Sequence, residues 1–222
     1  MFFSNIILLS CKNDDKEYIR IPDSSMKILS EERSKDSIVR RSQKIAYLKE
    51  LAKLMKLHPM DRLPEGNLVR VWVWNWEADS IYVSDIHYGS KKNTFSLIQF
   101  GPFVKDSVQY ILIHNKLSNI EPKLSWDSLL LSIKEYQITQ LPIGKIHTGL
   151  TGMSPVQFET VESGIYHFYE FYEPAYYRMV DSNANKVYSF LNHLNKQAGI
   201  NFYIVDSNFV YYKKEYSEPK SD

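Results

Sequence analysis

The side chains that could do chemistry in this sequence are a histidine–aspartate pair, a glycine-rich loop and a set of glutamates near aromatic residues. Asp85 and His87 stand two positions apart, so on a strand they share one face, as metal ligands do. A metal site needs a third or fourth ligand, and no neighbouring spacing supplies one. The pair therefore reads as a polar position on an edge strand, and no metal is expected. The six histidines, at 58, 87, 114, 147, 167 and 193, fall in neither His-Glu-x-x-His nor His-x-His spacing. His167 and Glu170 are three apart in a predicted strand, which points them to opposite faces.

The most glycine-rich stretch runs from Gly144 through Lys145, Gly149 and Gly152 to Ser154. It lacks the Gly-x-x-x-x-Gly-Lys-Ser/Thr order that wraps a phosphate, and Ser154 is followed by Pro155 rather than set in a nucleophile elbow. It reads as a connecting loop, and no cofactor is expected. Glu159, Glu170 and Glu173 are candidate carboxylates only by abundance. Glycoside hydrolysis needs two carboxyl groups at a separation that only the fold sets, so a hydrolase acting on glycans is the alternative reading. No residue is assigned a catalytic role, and the leaning is toward a protein that is not an enzyme.

Aromatic residues are the compositional departure: 16 Tyr, 11 Phe and 4 Trp among 222 residues. Tyr166, Phe168 and Tyr172 share one face of a predicted strand, with Tyr176, Tyr177, Tyr211 and Tyr212 near strand ends. Tyrosine joins a rigid apolar ring to a polar tip, so such a surface fits a protein partner or a glycan. Nucleic acid is not an expected partner. The 27 basic and 26 acidic residues nearly cancel, and the pairs Lys91-Lys92 and Lys213-Lys214 are too short for a phosphate footprint.

These residues need elements to hold them. Ser37 starts a helix whose Ile45, Leu48, Ala52 and Met55 recur at helical spacing before Pro59, with Lys, Arg and Glu on the other face. From Leu68 to Trp76 the period changes to two. Val69, Val71 and Val73 alternate with Trp72, Trp74 and Trp76, and apolar residues on both faces predict an interior strand. Residues 81–83, 94–100 and 109–113 continue an antiparallel meander, with turns expected at 89–93 and at Gly101-Pro102. Ser125 caps a second helix with Trp126, Leu129, Leu130 and Ile133 as its buried stripe. Residues 156–161 and 165–172 form a hairpin around Ser163-Gly164, a third helix covers 182–198 with Gly199 as its stop, and 201–205 with 209–212 make a last hairpin. Clustered rather than alternating elements predict one α+β domain, with a mainly antiparallel sheet and about three helices.

The N-terminus carries a different signal. Phe2 to Leu9 is an apolar run broken only by Ser4 and Asn5, and it leads into Leu8-Leu9-Ser10-Cys11. An apolar core of about 7–15 residues before a small residue is signal-peptide grammar, and the run is too short to span about 30 Å of hydrocarbon. Leu three positions before a cysteine, with Ser directly before it, resembles the lipobox of bacterial lipoproteins. The resemblance implies that Cys11 is alkylated with diacylglycerol, that residues 1–10 are removed as a signal peptide, and that the chain is membrane-anchored in the cell envelope. The polar run Lys12 to Glu17, rich in Asp and Glu, resembles the surface-export signals of some lipoproteins and reads equally as the start of a tether. The organisation expected is a signal over 1–10, a flexible tether over 11–36, a globular domain over 37–216 and a polar tail over 217–222. Function is expected to be that of a lipid-anchored envelope lipoprotein with a binding domain.

Overall fold

The strand that the double-faced apolar pattern singles out, Asn67–Asn75, is the one around which the sheet is laid. The computed structural model describes residues 17–30, 37–60, 66–75, 80–142 and 155–200. In chain order the elements are β1 (Glu17–Arg20), α1 (Asp23–Ser30), α2 (Ser37–Leu54), β2 (Asn67–Asn75), β3 (Ser80–Tyr88), β4 (Thr94–Lys105) and β5 (Val108–Leu117), followed by α3 (Trp126–Glu135) and a 3₁₀ turn (Ile138–Gln140). β6 (Pro155–Glu162), β7 (Ile165–Tyr172), α4 (Pro174–Tyr177) and α5 (Ser182–Ala198) complete them. The strands form one seven-stranded sheet in the order β1-β5-β4-β3-β2-β6-β7, and every pairing is antiparallel. The fold is α+β.

β2 lies between β3 and β6 and buries both faces. Val69, Val71 and Val73 join Phe95, Leu97, Val156 and Phe158 against Leu129 and Ile133 of α3 and Val187, Phe190, Leu191 and Leu194 of α5. Trp72 and Trp74 on the other face pack with Ile81, Val83, Ile98 and Phe100 against Leu48, Leu51 and Ala52 of α2 and Met55 just after it. Helices thus cover the sheet from both sides, and alternation along each strand sends one set of side chains to each core. Trp76 lies outside the described residues.

Local signals place the elements. Ser125 caps α3 by accepting the Ser128 amide at 3.0 Å, and Asp181 caps α5 through the amides of Asn183 and Ala184. α5 ends where Gly199 enters the left-handed region at φ 68° and its amide returns to the Asn195 carbonyl. The β6–β7 hairpin closes on Ser163-Gly164, both at positive φ, as a type I′ turn requires.

Four expectations are corrected. The Gly101-Pro102 turn is absent, because both residues sit inside β4; the chain reverses at Asp106-Ser107, at φ 50° and 62°. The described residues hold five α-helices rather than about three, the additional ones being the short α1 and α4. The charged face of α2 is not wholly solvated: Lys44 is 7% and Glu50 9% exposed. Finally, part of the stretch expected to be a tether is built into the domain. β1 pairs with β5 over Glu17 to Arg20, and Ile21 joins the α2-side core. The segment carries too few apolar residues to show a period, yet a strand of four residues needs only an edge to pair with.

The two edges of the sheet are protected differently. β1 is four residues long. On β7, the hairpin register leaves the Phe168 carbonyl pointing away from β6, and Arg41 of α2 donates to it through Nη2 at 2.8 Å.

α1 is tied to α2 by the Ser25 hydroxyl, which donates to Glu50 Oε1 at 2.5 Å in a buried contact. That hydrogen bond lowers the Glu50 pKa from 4.5; burial opposes it, and Lys53 adds to it. A depressed carboxylate stabilises the fold above its unfolded value and loses the contribution as pH falls through the folded one. Ser25→Ala should lower stability by about 1.5 kcal/mol at neutral pH in urea denaturation. The gap to wild type should narrow below pH 4.5. An equal gap at pH 7 and pH 3 would show that the charge on Glu50 is not involved.

Candidate functional site

The densest arrangement of chemically capable side chains lies between α2 and the sheet, on the same face as Trp72 and Trp74. Arg70 is its centre. In the register of the sheet it stands directly opposite Asp85 on β3 and directly opposite Glu159 on β6. Its Nε donates to Asp85 Oδ1 at 2.5 Å, its Nη2 to Asp85 Oδ2 at 2.9 Å and to the His58 carbonyl at 2.7 Å, and its Nη1 lies 3.7 Å from Glu159 Oε2. Arg70 is 1% exposed and Glu159 0%. A guanidinium taken this far out of water needs paired acceptors, and the fork geometry toward Asp85 supplies two at once. Burial alone lowers the Arg70 pKa; the charge and hydrogen bonds of Asp85, with Glu159 behind, overcome that, and the net direction is up.

Two indoles add polar contacts. Trp72 Nε1 donates to Glu159 Oε2 at 2.8 Å, and Trp74 Nε1 to Gln157 Oε1 at 2.9 Å, each reaching diagonally from β2 to β6. The other Glu159 oxygen accepts the Tyr166 hydroxyl at 3.1 Å. Burial, then the neighbouring Glu159 charge, raises the Tyr166 pKa far above the phenol range, so this hydroxyl is a fixed donor. Gln157 Nε2 donates to Glu170 Oε1 at 2.8 Å; the other Glu170 oxygen pairs with Lys44 of α2, which also bonds Tyr172 at 2.8 Å. Two neighbouring polar networks, one around Arg70 and Glu159 and one around Gln157 and Glu170, thus span β3, β2, β6 and β7 beneath a helix.

Each of the two glutamates accepts hydrogen bonds from protein donors on both oxygens. Three cavities lie nearby or on the surface. One of about 180 Å³ is lined by apolar residues including Trp74, Phe100, Ile111 and Tyr47. A groove of about 390 Å³ lies by Arg70, between Lys49, Ala52 and Lys53 of α2 and Leu57, Pro59 and Met60. A shallow one of about 470 Å³ is lined by Glu162, His167, Tyr169 and Thr139. Among the described residues, none of the three is lined by two carboxylates, the geometry that sugar hydrolysis needs.

The residues singled out by sequence are distributed as follows. Asp85 and His87 share a face, but β3 is the middle strand of the seven, so the edge assignment is corrected. Asp85 serves Arg70, and half-buried His87 faces the His58 ring at 5.7 Å. Among the described residues, no group of three His, Cys, Asp or Glu side chains is close enough to hold a metal ion. His167 and Glu170 do take opposite faces: His167 stacks on Tyr169 at 5.9 Å, whereas Glu170 faces α2. Glu173 precedes α4 in the left-handed region, and its carbonyl accepts the Tyr176 and Tyr177 amides.

Tyr166, Phe168 and Tyr172 do share a face, but α2 covers it. Lys49 stands over the Tyr166 ring, Arg41 over Phe168 and Lys44 over Tyr172, at 5.7, 5.6 and 5.3 Å. That aromatic face is an internal one. Tyr176 and Tyr177 meet edge to face at 4.9 Å and are half-buried. Gly144 to Ser154, Tyr211, Tyr212 and Cys11 lie outside the described residues.

The exposed aromatic cluster is elsewhere, and the sequence analysis missed it. Tyr18 of β1, Phe103 of β4 and Tyr110 of β5 meet with centroids 5.3, 6.5 and 6.4 Å apart. Tyr18 is 49% exposed, Phe103 and Tyr110 are half-buried, and none of the three rings belongs to either helix-covered core. Phe103 and Tyr110 face each other across the β4–β5 hairpin, and the pairing of β1 with β5 adds Tyr18 from far along the chain.

With the geometry in place, comparison with known proteins gives no relative: no family model, no curated protein and no solved structure matches the chain. No helix among the described residues is long and apolar enough to cross a membrane.

The Arg70 network beneath α2 predicts strong coupling between Arg70 and Asp85. Asp85→Ala, which leaves the guanidinium underpaired, should cost about 3–5 kcal/mol in urea denaturation. Arg70→Met combined with Asp85→Ala should cost at least about 1 kcal/mol less than the sum of the two single changes. Additive costs would mean that the pair is already solvated.

Proposed function

We propose that the protein is a lipid-anchored lipoprotein of the bacterial cell envelope, tethered through Cys11, whose folded domain binds a protein partner. The anchor rests on the apolar run ending in Leu8-Leu9-Ser10-Cys11. The binding half rests on one observation, the exposed cluster Tyr18–Phe103–Tyr110. Aromatic residues are the commonest anchors of protein interfaces, because a large rigid ring loses little conformational freedom on contact. The rings are inclined to one another by 56°, 86° and 53°. Tilted rings leave clefts between them into which a protein side chain can wedge. The glycan hydrolase alternative is less supported, since Glu159 and Glu170 are both held by protein donors.

Growth with radiolabelled palmitate tests the anchor. Wild type should take up label and sediment with membranes, while Cys11→Ala should do neither; intact mass showing an unmodified thiol on an uncut chain would defeat the proposal. A photoreactive residue at position 18, in cells, tests the surface. It should give one discrete protein adduct that is at least about fivefold weaker with Tyr110→Ala, a loss of about 1 kcal/mol or more. Adducts indifferent to Tyr110→Ala would place any binding surface elsewhere.

A further inference from the structure

A second polar arrangement, on the opposite side of the sheet from Arg70, joins the beginning of α3 to the end of α5. Gln197, 0% exposed, is its hub. The Gln197 carbonyl accepts the Lys123 amide at 3.0 Å, and its side-chain Oε1 accepts the Leu124 amide at 3.1 Å. A backbone N–H can only donate, so this contact fixes which end of the Gln197 amide faces Leu124. The Nε2 end then faces Nε2 of His193, one turn earlier on α5, at 2.9 Å. An amide NH₂ can only donate as well, so Nε2 of the imidazole must accept, and the ring's proton must sit on Nδ1. The Ser128 hydroxyl lies 3.4 Å from the same Nε2, supplied by the first turn of α3.

The geometry points to a proton-operated latch: neutral His193 holds Gln197, and through it the 123–124 segment that leads into α3, while a proton on Nε2 releases them. Protonation puts an N–H against an N–H. The conflict ends only if the buried amide turns over, and a turned amide then presents its NH₂ to the Leu124 N–H. One donor–donor contact is exchanged for another, and a buried donor left without an acceptor costs about 1–3 kcal/mol. With the ring neutral every donor at the joint has an acceptor; with it charged, the Ser128 hydroxyl can take the new N–H only at 3.4 Å, and the Gln197 amide keeps a donor–donor contact on one side or the other.

The electrostatic surroundings agree. Burial is the largest influence that lowers the His193 pKa from 6.5, followed by Lys196 on the same helix; the Ser128 backbone and Glu135 of α3 act in the opposite direction and are outweighed. From the connecting segment, the charged Lys123 side chain lies against Gly199, where an added Cβ would stand 2.1 Å from its Cε. A histidine depressed in the folded state gives full stability above its unfolded value, and the contribution is lost as pH falls through the folded one. Opening should therefore begin below pH 6.5. The latch stands independently of the lipid anchor.

Nitrogen-15 NMR of the imidazole rings of the whole folded protein tests it, with His193→Gln assigning the resonance. His193 should show the Nδ1–H tautomer at pH 7.5 and titrate below 6.5, and hydrogen exchange at the Lys123 and Leu124 amides should quicken at least tenfold, beyond the intrinsic change, across that titration. Gln197→Glu, which offers an acceptor to the charged ring, should raise the His193 pKa by at least one unit. An Nε2–H tautomer in wild type, or exchange at Leu124 that is blind to the titration, would overturn the latch. The tautomer reading uses wild type alone and stands even if Gln197→Glu fails to fold.

Discussion

The fold turns on a single buried positive charge. Arg70 occupies the middle of the strand that both cores share, where solvation by water is lost. Its compensation comes from the residues directly across from it on the two flanking strands. That requirement acts on alignment as much as on energy. Sliding β2 by one residue against β3 or β6 would put Arg70 and the facing carboxylate, Asp85 or Glu159, on opposite faces of the sheet. Buried ion pairs contribute little to net stability when compared with apolar packing, but they discriminate strongly between alignments, because a mispaired charge is so costly. The indoles of Trp72 and Trp74 extend the same discrimination two steps along β2.

Charge in the core also explains why α2 looks solvated in sequence and is not. Its Lys44 and Glu50 serve opposite ends of the structure, Lys44 joining the Gln157–Glu170 network at β7 and Glu50 receiving α1. The helix is packed by an apolar stripe and steered by ions at its flanks. Polar residues on it therefore report on what they meet, and not simply on exposure.

Much of the architecture was legible from local chemistry. The two-faced Val/Trp alternation placed β2 in the interior, Ser163-Gly164 marked the β6–β7 hairpin, Ser125 and Gly199 marked a helix start and a helix stop, and the opposite orientation of His167 and Glu170 followed from the period of a strand. What escaped was decided by tertiary pairing. β1 has four residues and no period to detect, yet β5 offers it an edge. Gly101-Pro102 carries turn residues, but β4 runs through them because the reversal at Asp106-Ser107 closes better on Lys105 and Val108. Asp85 looked like a rim residue because sequence does not reveal strand order. The same gap hid the Tyr18–Phe103–Tyr110 cluster and made the aromatic face of β7 look open when a helix lies across it.

The Arg41 contact on the outer rim of β7 bears on how copies of the molecule behave when crowded. An unoccupied carbonyl row is a template on which a neighbour can zip, and repetition of that step yields ribbons. Here a guanidinium occupies the template near its midpoint, and at the far side of the sheet four residues give an incoming strand little to grip. Both rims are thus poorer templates for an incoming strand than a long bare edge is.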